Sequence, residues 1–186
     1  MKLNLGAGSD IRIGWINHDI HPIEGINVVH DLNIAPWPWE SDSFEYILAK
    51  DVVEHLDNFS IAMNELWRIS RPGSLIHVRV PYMGSWSFYA DPTHIRAFHE
   101  TTFEFFDPRT EYGRSRSYYS EAKFEIVEYS FICAPFIPYF TIPMISEVRV
   151  TNHTLKKILG FLNMFILKNI IQDLEVSLKR MEPENN

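Results

Sequence analysis

Short apolar runs alternate with polar turns along the chain, as is typical of strands joined by loops and helices. Apolar runs bounded by turn residues predict strands at residues 2–5, 15–19, 26–30, 44–49, 74–80, 124–132 and 173–181. Apolar positions at the helical period predict helices near residues 56–70, 100–106 and 154–171. Strands joined by helices favour right-handed crossovers, so the pattern predicts an α/β fold with a Rossmann-like, mostly parallel, seven-stranded sheet.

The last third of the chain follows a different pattern. Residues 172–181 place Leu174, Val176 and Leu178 on one face, an alternation that predicts an antiparallel last strand. We expect it to pair with residues 123–132 at the edge of the sheet. Residues 133–171, with their prolines and one amphipathic helix, then form an insert before the last strand that covers a site or makes an interface.

The first two strands are unusually close in sequence. In LNLGAGSDIRIGWINHDI, residues 3–20, only Ser9 to Gly14 separate the glycine loop from the next apolar run. A helix that crosses back over the sheet needs more residues than this segment provides. The sequence therefore predicts that the first crossover helix is shortened or missing.

Composition and charge narrow the class of protein. The 186 residues, 46% apolar and 14% aromatic, are enough for one packed domain. A net charge of −7 disfavours a nucleic-acid partner, which requires clustered Lys and Arg. The single cysteine, Cys133, excludes an intramolecular disulfide and suits a reducing compartment. No leader is evident, and the apolar stretch 158–171 is too short for a membrane span, so we expect a cytoplasmic protein.

Residues with binding chemistry follow the predicted strands at their carboxyl ends, where ligands of open α/β sheets bind. They are Gly6, Ala7, Gly8, Asp19, Asp31, Leu32, Lys50 and Asp51. Small residues in the loop allow a ligand to approach the backbone. The carboxylate of Asp19 suits a bidentate contact with two ribose hydroxyls.

Five segments, in order, carry a resemblance to a known family: LNLGAGS, WINHDI, VVHDLNIAPWPWESDSFEYILAKDVVEHL, NELWRISRPGSLIHVRVPY and DPTHIRAF. Over residues 2–108 the chain resembles a small class I S-adenosylmethionine-dependent methyltransferase. The resemblance implies S-adenosylmethionine as cofactor, with Gly6, Ala7 and Gly8 facing its methionine part. It further implies that Asp19 binds the ribose. The chain is then a single domain, 1–186, with a cofactor-binding core at 1–108.

The same resemblance places Asp31 and Leu32 against the adenine, and Lys50 and Asp51 beside the methionine end of the cofactor. Asn4 occupies a position where many members have an acid, so it offers hydrogen bonds without charge. The compressed loop counts against NAD, whose pyrophosphate requires a helix N-terminus. S-adenosylmethionine carries no phosphate and tolerates the compression.

Candidate acceptor-side residues follow the fifth predicted strand. His94 is the favoured general base because its unperturbed pKa lies near neutral pH, and Asp91 can orient it. Arg96 can bind an acceptor carboxylate or phosphate, and His55 is a further substrate-binding candidate. Each also has a structural interpretation, as a turn or a helix cap.

Metal binding receives little support from the sequence. Asp51, His55, Asp91, His94 and His99 are possible ligands, but no HExxH or histidine-rich spacing places them on one face. We therefore expect no metal.

The sequence favours methyl transfer to a small polar acceptor, such as a saccharide hydroxyl, by an O-methyltransferase. One alternative is a non-catalytic adaptor of the same fold that binds a partner or membrane surface through 133–171. A less favoured one is an NAD-dependent oxidoreductase, because Ile11 replaces the third glycine of GxGxxG. We expect helix 154–171 to dock on the domain or to make a homodimer contact rather than to attach to a membrane.

Overall fold

The computed structural model describes residues 1–133, 136–137, 140–141, 147–165 and 170–182. The strands are β1 Lys2–Leu5, β2 Ile16–Asp19, β3 Val28–Val29, β4 Phe44–Lys50, β5 Ser70–Pro81, β6 Phe124–Cys133, β7 Phe136–Ile137, β8 Phe140–Thr141, β9 Val148–Val150 and β10 Ile171–Arg180. The helices are α1 Phe59–Ile69, α2 Trp86–Ala90, α3 Glu100–Glu104, α4 Glu111–Ser115 and α5 His153–Phe165. Short 3₁₀ turns span Val53–His55 and Ser117–Tyr119.

One sheet contains eight of these strands, in the order β3-β2-β1-β4-β5-β10-β6-β9. Strands β1 to β5 pair in parallel, and β10 is antiparallel to both of its neighbours, β5 and β6. The predicted Rossmann-like, mostly parallel sheet with an antiparallel last strand is confirmed. The predicted strand number and edge are wrong: β9 adds an eighth strand and forms the edge, while β10 lies inside the sheet.

The missing first crossover helix is also confirmed. Residues 6–15 form only turns between β1 and β2, and the connections from β2 to β3 and from β3 to β4 have no helix either. Helix α1 therefore makes the one helical crossover between neighbouring parallel strands in the described range. Asn58 caps the start of α1, because its side chain accepts a hydrogen bond from the backbone N–H of Ile61. The helix buries Phe59, Met63 and Leu66.

Alternation along β5 gives the sheet two different faces. Ile76 and Val78 are fully buried in the apolar core that includes α1, whereas His77 and Arg79 point to the opposite face. On that face the Arg79 guanidinium lies 2.6 Å from the carboxylate of Asp173 on β10. The sheet thus has one apolar face and one polar face.

The region predicted as an insert is partly built into the sheet. Strand β9 pairs with β6, and Lys156 of α5 donates a hydrogen bond of 2.6 Å to the backbone carbonyl of Tyr129 on β6. The predicted helix 154–171 extends too far, since Ile171 already belongs to β10; residues 166–169, and Pro135, Pro138 and Pro143 of the predicted cover, lie outside the described residues. No helix in the described ranges has the length and apolar character needed to cross a membrane.

Candidate active site

Two adjoining clefts open at the carboxyl ends of the parallel strands. The main cleft, about 430 Å³, is lined by Gly6, His18, Asp19, Ile20, His21, His30, Asp31, Leu32, Asn33, Asp51, Val52, His55, Leu56 and Thr93. The loop cleft, about 240 Å³, is lined by Asn4, Gly6, Ala7, Gly8, Ser9, Asp10, Lys50 and Asp51. Gly6 and Asp51 line both clefts, so a ligand longer than either can extend from one to the other.

The glycine loop is held by Asp19. The backbone N–H of Gly8 donates to one carboxylate oxygen of Asp19 at 2.8 Å, and the N–H of His21 donates to the other at 3.0 Å. Each oxygen can still accept a second hydrogen bond. Asp19 therefore orients the loop and presents an anionic edge to the main cleft.

Sequence reasoning missed His18, which ties the loop to the next connection. Its Nε2 donates to the backbone carbonyl of His30 at 3.0 Å, so its Nδ1 is the acceptor for the N–H of Gly6 at 3.4 Å. Burial lowers the pKa of His18, which favours this neutral form. The sequence signal that could have identified His18 is a polar residue in a short predicted strand, directly before Asp19, the residue predicted to bind the ribose.

Asp31 and Leu32 also line the main cleft. The carboxylate of Asp31 accepts a hydrogen bond of 2.9 Å from the N–H of Asn33, which fixes the turn. Leu32 is buried, and its carbonyl accepts from the indole of Trp37 at 2.9 Å. The pair places one polar and one apolar group side by side.

Asn4 and Asp51 differ in what they offer a ligand. The Asn4 amide is buried and donates to the carbonyl of Asp10 at 2.6 Å and to Asn17 at 3.2 Å, so its donors serve the loop. Asp51 has a left-handed backbone with φ of 53°, which is strained for a residue other than glycine. Its carboxylate lies 3.9 Å from the ammonium of Lys50. At the loop cleft, Asp51 therefore offers a ligand a carboxylate, whereas Asn4 offers none.

The acceptor-side candidates Asp91 and His55 meet through Thr93. The hydroxyl and backbone N–H of Thr93 donate to Asp91 at 2.6 and 2.8 Å, and these bonds hold the pKa of Asp91 below its ordinary value. The same hydroxyl lies 3.0 Å from Nδ1 of His55. Because the one proton of the Thr93 hydroxyl goes to Asp91, this hydroxyl can only accept from His55, so Nδ1 of His55 is the donor.

His94 lies behind this group and faces a residue that sequence analysis did not select. Its Nε2 is 3.8 Å from Glu54 and 3.9 Å from Asp91. Glu54 is fully buried, and neither of its carboxylate oxygens has a hydrogen-bond partner in the described part of the chain. Burial raises the pKa of Glu54 to about 8, and nearby carboxylates add to the shift while its own backbone N–H opposes it.

Arg96 is placed away from both clefts. Its guanidinium donates to the carbonyl of Asp57 at 2.9 Å and lies 5.9 Å from the centre of the Phe59 ring. These contacts tie the loop that carries Asp91 and His94 to the start of α1.

The two clefts fit the cofactor that the resemblance implies. A Cβ added to Gly8 would meet nothing within 4 Å, so the loop leaves open space beside the backbone. The main cleft adds the anionic edge of Asp19 and the polar and apolar pair of Asp31 and Leu32. Residues 6–15 form turns and no helix, so this loop has no helix N-terminus that could bind a phosphate. S-adenosylmethionine contains no phosphate and does not need one.

Comparisons with known proteins support the fold described above. The family model described as methyltransferase domain matches residues 15–78. A S-adenosylmethionine-dependent methyltransferase from Archaeoglobus fulgidus has a TM-score of 0.59 and 20% identity, over 96% of this chain and 85% of that chain. No curated protein sequence matches.

Two other solved structures share the fold at lower identity. One, from a complex of the Haloferax volcanii Trm112 methyltransferase activator and a putative methyltransferase, has a TM-score of 0.58 and 14% identity, over 97% of this chain and 82% of that chain. The other, a possible histamine N-methyltransferase from Thermotoga maritima, has a TM-score of 0.54 and 11% identity, over 96% of this chain and 81% of that chain. The family match over residues 15–78 and the likeness to these structures show that the chain has the fold of class I S-adenosylmethionine-dependent methyltransferases, which supports S-adenosylmethionine as its cofactor.

Proposed function

We propose that the protein methylates a hydroxyl group of a small polar acceptor, and that this acceptor is a saccharide. The observation that carries the proposal is the linked group of His55, Thr93 and Asp91, because His55 and Thr93 line the same cleft as Asp19. When bound, S-adenosylmethionine supplies a methyl group on a positively charged sulfur, which keeps the bonding electron pair and leaves as a neutral thioether when the acceptor atom takes the methyl.

The cofactor residues divide between the two clefts. We assign Asp19 to the ribose hydroxyls and Asp31 with Leu32 to the adenine, because these side chains line the main cleft. We assign the backbone of residues 6–8 and the pair Lys50 and Asp51 to the methionine part, which extends into the loop cleft. Asp51 then balances the ammonium group, and Asn4 contributes by holding the loop.

The acceptor side has to orient a hydroxyl and remove its proton. Asp91 is exposed and its lowered pKa keeps it a carboxylate, so it can accept a hydrogen bond from the acceptor. The proton of the acceptor hydroxyl is then taken up by Asp91 and His94, which lie 3.9 Å apart and act as one proton-accepting group. Arg96 supports this group by holding its loop, and its predicted contact with an acceptor anion stays a prediction.

A carbohydrate suits the surface next to this group. Helix α2 directly precedes Asp91 and exposes 68% of Trp86 and 74% of Tyr89. Aromatic side chains of this kind provide apolar surface for a ligand with a polar rim. A polar ring compound therefore has both a hydroxyl partner and a surface to lie on.

Cofactor binding is tested by calorimetry with S-adenosylhomocysteine. We expect Asp19→Asn and Asp19→Ala to weaken binding by roughly 10–100-fold, the size of a hydrogen bond to a charged group. Glu24→Ala, which removes an exposed carboxylate from the β2–β3 connection, is the matched control and should bind as the wild type does. No binding to the wild-type protein, or equal binding by the Asp19 variants, contradicts the assignment.

Acceptor class is tested with methyl-labelled cofactor and matched sets of hydroxyl, amine and carboxylate compounds. We expect turnover with hydroxyl acceptors and at least about a 100-fold loss in kcat for Asp91→Asn, because general-base catalysis contributes about 10²–10⁴-fold. Methylation confined to amines would overturn the hydroxyl assignment. Full activity of both Asp91→Asn and His94→Ala would overturn the assignment of the proton-accepting group.

The homodimer predicted through the last helix is tested separately by light scattering. Leu155 and Ile158 of α5 expose 44% and 50% of their surface, and they provide the sites for the variants. If α5 forms a homodimer contact, Ile158→Glu shifts the protein to monomer. A wild-type protein that is monomeric at all concentrations contradicts the prediction.

A further inference from the structure

Two imidazoles and one buried carboxylate lie close together beside the main cleft, and one of them, His55, lines it. His55, His94 and Glu54 each contribute one nitrogen or oxygen atom to a group whose members lie within 4.8 Å of one another. The centres of the two imidazole rings are 4.7 Å apart. We call these three residues the inner cluster.

Hydrogen bonds on the far side of each ring fix the tautomers. Nδ1 of His94 lies 3.1 Å from the backbone carbonyl of Phe88, which can only accept, so this nitrogen carries the proton. Nδ1 of His55 donates to Thr93, as its hydroxyl proton is already given to Asp91. In the neutral rings both Nε2 atoms are therefore left with a lone pair.

The third member has no compensating partner. Glu54 is fully buried, with both carboxylate oxygens lacking a hydrogen bond, and one of them is 3.8 Å from Nε2 of His94. A buried carboxylate without a donor is costly unless a cation or a proton neutralises it.

We propose that the inner cluster binds one divalent transition-metal ion through Glu54, His55 and His94. Two imidazoles and one carboxylate are a ligand set of catalytic zinc sites, which leave one position for water or substrate. Magnesium and calcium prefer oxygen ligands in larger number, so they fit this set poorly. Zinc and iron(II) are the ions that suit this donor set, and cobalt is a spectroscopic substitute for zinc.

The surroundings have the features of a metal site. Ligating histidines usually donate their other N–H to a carbonyl or a similar acceptor, as His94 does to Phe88 and His55 does to Thr93. The backbone N–H of Ile95 donates to the carbonyl of Glu54 at 3.1 Å, which joins the two loops that carry the ligands. Tetrahedral ligands at bonds of about 2.0–2.1 Å lie about 3.3 Å apart, so binding draws the three side chains together.

The ion would act in the proposed methyl transfer, on which this part of the inference rests. His55 lines the main cleft, so the open position of the ion faces the acceptor. Positive charge there lowers the pKa of an acceptor hydroxyl. With the ion bound, His94 is a ligand and cannot take a proton, so the proton-accepting group of the proposed function reduces to Asp91, 3.9 Å from His94 on the exposed side.

The test uses full-length protein with any purification tag removed and metal stripped by a chelator. Addition of Co²⁺ should give visible d–d absorption that saturates at one equivalent, and Zn²⁺ should displace it. His94→Ala and Glu54→Gln should each weaken binding by more than about 100-fold, beyond the roughly 10–100-fold effect of losing an outer-shell partner. His153→Ala, which removes an exposed imidazole at the start of α5, should bind cobalt as the wild type does.

Binding of S-adenosylhomocysteine, measured on each variant, reports whether the fold and the adenosyl cleft are retained. If Glu54→Gln fails to fold, His55→Ala serves in its place. Absence of a one-to-one complex, or equal cobalt binding by wild type and His94→Ala, overturns the metal site. A wild-type protein that binds cobalt but transfers no methyl group overturns the proposed function and leaves the metal site supported.

Discussion

Single side chains that hold the backbone matter as much here as those that face a ligand. Residue 18 is the clearest case, because His18 connects the glycine loop to the β2–β3 connection through opposite ring nitrogens. Its ring packs edge-on against Trp39 with centres 5.3 Å apart. His18 therefore fixes the positions of Gly6 and His30, two residues that line the main cleft.

Stability at mildly acidic pH should depend on His18. Burial lowers its pKa in the folded state, outweighing the nearby Asp19, so the unfolded chain binds more protons below about pH 6.5. The contribution is intact above that pH and declines as pH falls toward the lowered pKa, by up to about 1.4 kcal/mol per pH unit. Urea denaturation at pH 7.5 and 5.5 should show a smaller loss for His18→Gln than for wild type.

His153→Gln is the control for an exposed histidine and should lose as much as the wild type over the same pH interval. An unchanged loss in His18→Gln would show that other groups control the acid response.

At the scale of the element, the glycine loop combines two distinct constraints. Gly6 and Gly8 both have positive φ, of 63° and 50°. A Cβ at Gly6 would lie 2.6 Å from Cγ2 of Val52, whereas a Cβ at Gly8 would meet nothing within 4 Å. The first position therefore needs glycine for conformation and for space, and the second for conformation alone.

Alanine substitutions should separate these constraints. We expect Gly8→Ala to cost about 1–2 kcal/mol of unfolding free energy, from the left-handed backbone. Gly6→Ala should cost about 1–3 kcal/mol more, because a branched side chain has to move. Chemical denaturation measures both.

The double variant with Val52→Ala should recover part of the loss in Gly6→Ala and none of the loss in Gly8→Ala. Equal costs for the two alanines, with no recovery, would show that the contact with Val52 is unimportant.

At the scale of the whole molecule, the missing helices explain why one face of the sheet is apolar and the other is polar. With the order β3-β2-β1-β4-β5, right-handed crossovers from β1 to β2 and from β4 to β5 fall on opposite faces. Helix α1 supplies the second crossover, and the first has no helix. The face opposite α1 carries charged and polar side chains, including Arg79 bound to Asp173 and to Glu147.

Removal of Arg79 should destabilise the sheet. Its side chain is 13% exposed, and those of Asp173 and Glu175 are 11% and 6% exposed. Arg79→Met would leave the largely buried carboxylate of Asp173 without its cation, whereas Glu175 keeps Arg149, so we expect a loss of about 3–5 kcal/mol in urea denaturation. Lys179→Met, an exposed change on β10, should stay within about 0.5 kcal/mol of wild type. A loss below about 1 kcal/mol for Arg79→Met would contradict this role.

The positions of the strands along the chain were predictable from the sequence because apolar periodicity and turn residues act locally. The pattern located β1, β2, β4, β5, β6 and β10 to within a few residues of their bounds. The place of β10 was not predictable, since pairing between strands far apart in the chain leaves no local signal. The short strand β9 was missed for another reason, because three residues are too few to show an alternation of apolar and polar positions.

The sequence by itself determined the sheet class, the missing first crossover helix and the resemblance to the methyltransferase domain, because each depends on residue types and short spacings. Only the tertiary structure decided what individual side chains do. It committed the amide of Asn4 to the loop, turned Arg96 toward the start of α1, and brought buried Glu54 against His94. These contacts join separate loops, and the free energy of burying an unpaired carboxylate depends on neighbours that no local pattern specifies.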